Sequence, residues 1–165
     1  MKWQNVTLLT IAVALVLCTH EPVNAEEKIM VGRIEQALLL PQGLKLPARI
    51  DTGAAICSLD ARELEIRGNI AEFKLSEAYG GLELRMPIVR SGHVRSANTR
   101  QQRPVVELEI RLGPKLLRVE ANLTDRSQFD YPLLIGRNAL KQGFLVDVSK
   151  RNIAPPDNHQ KVQGP

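Results

Sequence analysis

The sequence predicts a single all-β domain, on three observations. Its 165 residues suffice for one domain. From about residue 28 the chain is a series of short apolar or alternating runs that glycine, proline and asparagine separate. Stretches with helical periodicity are few and short.

The expected strands follow one another along most of the chain. They are Lys28–Ile34, Glu35–Leu40, Leu44–Ile50, Ile70–Leu75, Leu82–Val89, Val105–Leu112, Lys115–Leu123, Leu133–Ile135 and Phe144–Val148. Val105–Leu112 alternates, so its apolar side chains share one face and its polar ones face solvent. Gly113 and Pro114 then turn the chain into the next strand, which predicts a hairpin.

Helix is expected at only two places. Ser58–Leu64 is compatible with a short helical turn, and Arg137–Gln142 with one short helix that ends at Gly143. Beyond residue 150 the chain has several prolines, few apolar side chains and no periodicity, which predicts a disordered tail over 151–165. The folded domain is therefore expected over 26–150.

Residues 1–25 have the pattern of an export signal. Lys2 supplies the charged start, Val6–Leu17 the apolar stretch, and Val23-Asn24-Ala25 the small residues of a cleavage site. The apolar stretch is too short to span a bilayer as a helix, so an uncleaved anchor is the lesser alternative. Cys18 follows Leu17, whereas lipidation needs a small residue at that place.

Charge and cysteine content restrict the partners and the chemistry. Signal cleavage would leave Cys57 alone, so no disulfide can staple the domain, and Cys57 is interpreted as a packed small side chain. The formal net charge of +4 comes from lysines and arginines that are scattered along the chain. Such scatter is typical of a soluble surface and does not favour nucleic-acid binding.

Chemistry is concentrated where an apolar strand runs into Asp51-Thr52-Gly53. A carboxylate at the end of a buried strand is costly unless it is hydrogen-bonded or has a use. Thr52 can bond the neighbouring backbone, and Gly53 lets main-chain groups come close to the carboxylate. The tripeptide alone indicates little, because all three residues are common in turns.

A second segment, Tyr131–Asn138, contains Leu-Ile-Gly-Arg-Asn. With both segments in this order, the chain resembles the retropepsin-type aspartic proteases. Together with Arg103–Val106 and Leu123–Arg126, the second segment also resembles a bacterial family of retropepsin-like peptidases that was once labelled ATP-dependent zinc protease. The resemblance covers about residues 29–149. It implies a closed retropepsin-like barrel with one short C-terminal helix, and an aspartic endopeptidase. With the export signal of residues 1–25, we expect a periplasmic or secreted bacterial protein.

The residues themselves favour neither zinc nor ATP. The histidines are His20, His93 and His159, of which the first lies in the signal and the last in the tail. Neither His-Glu-x-x-His nor Gly-x-x-x-x-Gly-Lys-Ser/Thr occurs, so we expect no metal and no other cofactor. His93 is interpreted as a solvated loop residue.

Metal-free peptide hydrolysis by carboxylates needs two carboxyl groups that share one proton. The chain has a single Asp-Thr-Gly, which excludes a two-lobed monomer. A homodimer is therefore expected, in which Asp51 of each copy meets at the two-fold axis. Activity should favour mildly acidic pH, because one carboxyl of the pair must keep its proton.

The resemblance also assigns roles to the residues around Asp51. Asp51 would be the catalytic acid and base, Thr52 would brace the dimer, and Gly53 would offer its carbonyl to the substrate backbone. The segment Gly136-Arg137-Asn138 would support this loop from behind. For Arg137 this structural role is preferred to direct catalysis.

Substrate contacts are expected from Ala54 and from a flap hairpin over Leu82–Arg103. Its tip, Ser91–Arg100, starts with Ser91 and Gly92 and is rich in small polar residues, although a plain surface loop would have the same composition. Ala55 and Ile56 stand where retroviral members have carboxylates. Those carboxylates hold the substrate backbone and pair with the arginine of the Gly-Arg-Asn segment. That pairing is not implied here.

Two further functions stay open. Ala55, Ile56 and the low aromatic content favour a peptide-binding domain that has lost turnover. The positive charge would suit an amidase that acts on a non-protein acidic peptide, such as poly-glutamate or a peptidoglycan stem. In each case the partner is a peptide or protein, and no stable membrane span is expected once the signal is cleaved.

Overall fold

The computed structural model describes residues 27–96 and 99–156. Its elements are β1 (Ile29–Gly32), β2 (Ile34–Leu40), β3 (Leu44–Ile50), β4 (Cys57–Asp60), β5 (Arg62–Arg67), β6 (Ile70–Lys74), β7 (Glu83–Ser96), β8 (Thr99–Leu112), β9 (Lys115–Thr124), β10 (Leu133–Ile135), α1 (Arg137–Leu140) and β11 (Phe144–Asp147). One turn of 3-10 helix, Glu77–Tyr79, lies between β6 and β7. The expected all-β fold and the short helix after β10 are confirmed.

Six strands close a barrel in the order β2–β3–β10–β4–β9–β8, and β8 pairs back to β2. Strands β7, β6 and β5 continue the sheet outward from β8, while β1 and β11 form a separate parallel pair. The predicted β8–β9 hairpin is confirmed. The apolar face of β8 lies inside the barrel, where all four of its side chains are fully buried: Val106, Leu108, Ile110 and Leu112.

Two local predictions are corrected by strand pairing. The helical turn expected over Ser58–Leu64 is wrong, because these residues form β4, which is buried between β9 and β10, and the start of β5. Neighbours on both sides of a strand outweigh weak local preference. β7 and β8 are each 14 residues long and pair as far as Ser96 and Thr99, so the small polar stretch expected as a loose tip is mostly strand.

The prediction of a disordered tail from residue 151 is wrong for residues 151–156. The C-terminal strap, defined here as Lys150–Ala154, runs along the β1–β2 corner, where Lys150 O accepts from Arg33 N at 2.8 Å and Asn152 N donates to Ile34 O at 2.8 Å. Glu35, fully buried in β2, accepts from the main-chain N–H groups of Ile153 and Ala154 at 3.1 and 3.0 Å. A carboxylate buried in β2 therefore anchors the strap, which no local pattern of residues 151–156 could indicate.

The predicted export signal over residues 1–25 and the end of the tail, 157–165, lie outside the described residues. Within the part of the chain that the structure describes, there is no helix of the length and apolar character that crossing a membrane requires.

Candidate active site

Asp51 follows β3 directly, at the end where β3 and β10 run parallel. Its main-chain N–H donates to Ile135 O at 2.9 Å, and the side chain is only partly buried. Asp51 Oδ1 accepts from Gly53 N at 2.8 Å and from Ala54 N at 3.2 Å. Among the described residues, Oδ2 has no hydrogen-bond partner. The loop therefore orients the carboxylate by one oxygen and leaves the other available.

The segment predicted to support this loop does contact it. Arg137 N donates to Ala54 O at 2.9 Å, and Asn138 N donates to Ala55 O at 3.2 Å. The Arg137 guanidinium adds two bonds through Nη1, to Thr52 O at 3.0 Å and to Gly53 O at 2.7 Å. Arg137 thus binds main-chain oxygens of the Asp51 loop itself.

Thr52 and Gly53 were predicted to contact a second copy of the chain and the substrate, respectively. The Gly53 carbonyl, expected to face substrate, accepts from Arg137, and a carbonyl oxygen has a second lone pair for another donor. Thr52 is exposed, so its side chain is accessible to a second copy of the chain. Ala54 is half-buried beside them.

Gly136 is required by a close approach of two backbone segments. A Cβ at this position would lie 2.5 Å from both the carbonyl carbon and the oxygen of Ile56. The Gly136 φ of −92° is accessible to any residue, so space and not conformation excludes a side chain. The loop after Asp51 and the start of α1 can pack this tightly only with glycine between them.

Cys57 has a role that the sequence did not reveal. The buried Sγ accepts from Gly136 N at 3.4 Å and donates to Asn138 Oδ1 at 3.3 Å, while Asn138 Nδ2 donates to Glu120 O at 2.8 Å. Burial raises the pKa of the Cys57 thiol to about 11, partly offset by the Gly136 N–H. The thiol is therefore a neutral packed group at ordinary pH, and it joins β4 to the supporting segment.

Asp60 and Arg126 are two further charged residues that the sequence analysis did not single out. Asp60 is 1% exposed and accepts from Arg126 N at 2.7 Å and from Arg62 Nε at 2.8 Å. Arg126 is 5% exposed, its Nε donates to Tyr131 O at 2.9 Å, and its guanidinium lies 4.6 Å from the centre of the Phe129 ring. The string Leu123–Arg126, part of the family resemblance, was the one hint of this buried cluster.

The charge of Arg126 connects this cluster with the Asp51 loop. Its pKa is lowered chiefly by burial, the negative charge of Asp60 opposes that shift, and the positive charges of Arg103 and Arg49 add to it. The charge of Asp51 acts on Arg126 as well. The buried Arg126 guanidinium therefore interacts electrostatically with Asp51, while Arg103 and Arg49 act on Arg126 itself.

Ser91 and Gly92 lie on β7, opposite Pro104 and Arg103 of β8. The structure places them in the paired part of the β7–β8 hairpin, before its turn, and Ser91 is exposed. Their predicted contact with substrate stays a prediction. Over residues 27–96 and 99–156 there is no group of three or more His, Cys, Asp or Glu placed to hold a metal ion.

Comparison with known proteins agrees with this geometry. Residues 30–157 match the family described as RimB-like, retropepsin-like aspartic endopeptidase RimB. The chain belongs to this family. The resemblance and the retropepsin-like fold predicted from the sequence are thereby confirmed. The match ends at residue 157, so the strap lies within the RimB-like domain.

Similar proteins include one solved structure and several longer chains. A crystal structure of a Legionella pneumophila protein of unknown function is 32% identical, with a TM-score of 0.65 over 76% of this RimB-like chain and 98% of that one. Two proteins named "Probable alpha-L-glutamate ligase" are 28% identical over 76% of this chain (Shewanella pealeana) and 32% identical over 81% of it (Parasynechococcus marenigrum). The chain spans only 30% and 29% of those two proteins.

Proposed function

We propose that residues 26–165 act as a homodimeric aspartic endopeptidase in which Asp51 of each copy supplies one carboxyl of the catalytic pair. The observation that carries the proposal is the Asp51 carboxylate. Loop amides hold its Oδ1, its Oδ2 has no partner among the described residues, and Thr52 beside it is exposed.

The chemistry follows from two such carboxyl groups that share one proton. The ionised one takes a proton from water, whose oxygen attacks the peptide carbonyl carbon while the protonated one donates to the carbonyl oxygen. The resulting tetrahedral intermediate breaks its C–N bond as the nitrogen takes up a proton. No step needs a group outside the two Asp51 loops, the water and the substrate.

Ala55 and Ile56 do not weaken this proposal. Their lack of a carboxylate motivated the alternative of a binding domain without turnover. The Arg137 guanidinium nevertheless braces the loop, through the carbonyl oxygens of Thr52 and Gly53. A loop held at four main-chain positions, 52 to 55, by Arg137 and Asn138 keeps Asp51 oriented without a carboxylate at 55 or 56.

A mixing experiment tests both the pair and the dimer. An unstructured protein substrate is incubated with wild type, with Asp51→Asn, and with equimolar mixtures equilibrated at constant total concentration. Asp51→Asn alone should be inactive. The mixture should retain about one quarter of the wild-type rate, because only one dimer in four then has two intact carboxyl groups.

The matched control is Asp130→Asn, the same change on an exposed loop. Mixtures with this variant should keep the full rate. A rate of one half in the Asp51→Asn mixture would indicate independent active monomers, and cleavage by Asp51→Asn alone would refute the role of Asp51. Binding of the substrate by wild type without cleavage would instead support the non-catalytic alternative.

A second candidate, an amidase that acts on acidic peptides, is favoured by the guanidinium of Arg126, whose charge interacts with that of Asp51. The positive charges of Arg103 and Arg49 act on Arg126 in turn. Relatives named "Probable alpha-L-glutamate ligase" contain a region similar to this chain, which favours glutamate-containing chains as the substrate class.

Matched peptides that contain glutamate or glutamine at the same positions test this preference. The glutamate series should be cleaved with the higher kcat/KM. The exposed Arg49 changed to Gln should reduce that preference about two- to fivefold, the scale of a surface charge pair. Lys45→Gln, on the same face of β3 but near its other end, is the control and should change nothing. Equal kcat/KM for the two series would refute the preference.

Export to the periplasm is also part of the proposal. It is supported by the signal pattern of residues 1–25. Mass spectrometry of the protein from a bacterial periplasmic fraction should find a chain that begins at Glu26. Recovery of the full chain in the cytoplasm alone would refute export.

A further inference from the structure

The neighbouring strands β6 and β9 stop pairing at the same level of the β7–β8 hairpin. The pair Ile70–Pro87 is the last between β6 and β7, and the pair Val105–Asn122 is the last between β8 and β9. The Ile88 N–H still donates to Asn69 O at 2.8 Å; past it, over the described residues up to Ser96 and from Thr99, each strand pairs only with the other. Two strands without a third are weakly held.

A β-bulge lies at the same place. Ile88 is opposite Val106, whereas Arg90 is opposite Val105, so Val89 is the extra residue and is 51% exposed. A bulge bends and twists the strand that contains it. The part of the β7–β8 hairpin beyond Val89 is called the outer hairpin here. Its direction is therefore set by the contacts that the chain makes just past Val89.

Arg90, the first paired residue after the bulge, makes such a contact. Its side chain crosses β8 to reach Glu120 on β9, where Nε donates to Oε2 at 2.9 Å and Nη2 donates to the same oxygen. Glu107 is directly opposite Glu120 in the β8–β9 ladder, and like charges in that position repel. Arg90 offsets that repulsion while it ties the hairpin to the barrel.

Glu120 is also bound to the support of the catalytic loop. Its main-chain oxygen accepts from Asn138 Nδ2 at 2.8 Å, and Asn138 N donates to Ala55 O in the loop after Asp51. One residue of β9 thus contacts the hairpin by its side chain and the active-site support by its backbone. The contacts are continuous from the Asp51 loop through Asn138 and Glu120 to Arg90.

We propose that the Arg90–Glu120 pair is a latch that holds the outer β7–β8 hairpin in its position relative to the Asp51 loop, and that both residues are positioning residues for peptide hydrolysis. The second half of this statement rests on the proposed function. Without the latch a smaller fraction of molecules has the hairpin in place. The apparent affinity for substrate falls by that fraction, so KM rises while kcat stays within twofold.

The test combines amide hydrogen exchange with kinetics on Arg90→Gln, Glu120→Gln and the double variant. Exchange of the described hairpin amides, 88–96 and 99–104, should become two- to fivefold faster in each single variant, and KM should rise by a similar factor, the scale of one partly exposed ion pair. The double variant should exchange no faster than either single one, because both remove the same contact.

Arg118→Gln is the matched control, because Arg118 on β9 also forms a partly exposed ion pair, with Glu109. It should change neither hairpin exchange nor KM. Equal exchange in Arg90→Gln and Arg118→Gln, or additive effects in the double variant, would overturn the latch. Faster exchange with unchanged KM would overturn the positioning role.

Exchange is also measured in an Asp51→Asn background. If wild type cleaves no peptide at all, the proposed function fails while the exchange data still decide whether the latch exists. Failure of the latch and failure of the catalytic proposal are therefore distinguishable.

Discussion

Changing Gly136 to Ala should strongly destabilise the domain. The new Cβ would lie 2.5 Å from the carbonyl carbon and oxygen of Ile56, whereas carbon contacts are normally about 3.5–4.0 Å. The backbone of the Ile56–Cys57 segment or of α1 must therefore move by about 1 Å. Forced displacement of this kind in a packed interior costs about 3 kcal/mol.

Thermal unfolding followed by circular dichroism measures this loss. At about 4 °C per kcal/mol for a domain of this size, Gly136→Ala should lower Tm by about 12 °C. Gly68→Ala is the control, because Gly68 has a positive φ of 61° but nothing within 4 Å of its Cβ position. Its cost is that of the left-handed backbone alone, about 1 kcal/mol or 4 °C.

The same change should also reduce peptide cleavage, measured well below Tm. A catalytic group displaced by about 1 Å loses about a hundredfold in rate. Equal Tm values for Gly136→Ala and Gly68→Ala, or a Gly136→Ala variant as active as wild type, would refute the argument that the loop after Asp51 is positioned by this close approach.

Three further changes follow from buried groups. The Cys57 thiol loses its proton near pH 9.0 in the unfolded chain and near pH 11 in the folded chain. The free energy of unfolding should therefore fall across that window by about 3 kcal/mol more in wild type than in Cys57→Ala, and parallel curves in urea titrations would contradict this. Both Glu35 carboxylate oxygens accept from the strap, whereas Glu35→Gln retains one acceptor oxygen, so the free energy of unfolding in urea should fall by about 1–3 kcal/mol. A chain that ends at Lys150 lacks those strap donors, so Glu35→Gln should cause no added loss there. Arg62→Leu removes a partner of the buried Asp60 and should cost about 2 kcal/mol. Arg67→Leu should cost under about 0.5 kcal/mol, because Arg67 is itself 68% exposed where it pairs with Glu65 and Glu72, and equal losses would show that burial of Asp60 is unimportant.

Much of the architecture could be predicted because its signals are local. Strands Leu44–Ile50 and Leu133–Ile135 have the predicted bounds, and the β8–β9 hairpin has the predicted inward face. These elements have clear alternation or turn residues at their ends. Strand β4 lacked such a signal, because it is buried on both faces and contains Ser58 and Asp60. Its side chains are stabilised by partners on other strands, so local preference pointed to a helical turn.

The sequence by itself determined the all-β class and the place of the Asp51-Thr52-Gly53 loop, and its single copy of that tripeptide motivated the proposed homodimer. These follow from side-chain period, turn chemistry and counting, all of which are readable along the chain. Tertiary structure alone decided that Gly136 meets Ile56, that Cys57 and Asn138 connect the support of the loop, and that Glu35 anchors the strap. Those contacts join residues about 80 to 120 positions apart, for example Gly136 with Cys57 and Ala154 with Glu35. Their existence depends on barrel closure and strand register, which bring distant backbone groups within hydrogen-bond reach only in the folded chain.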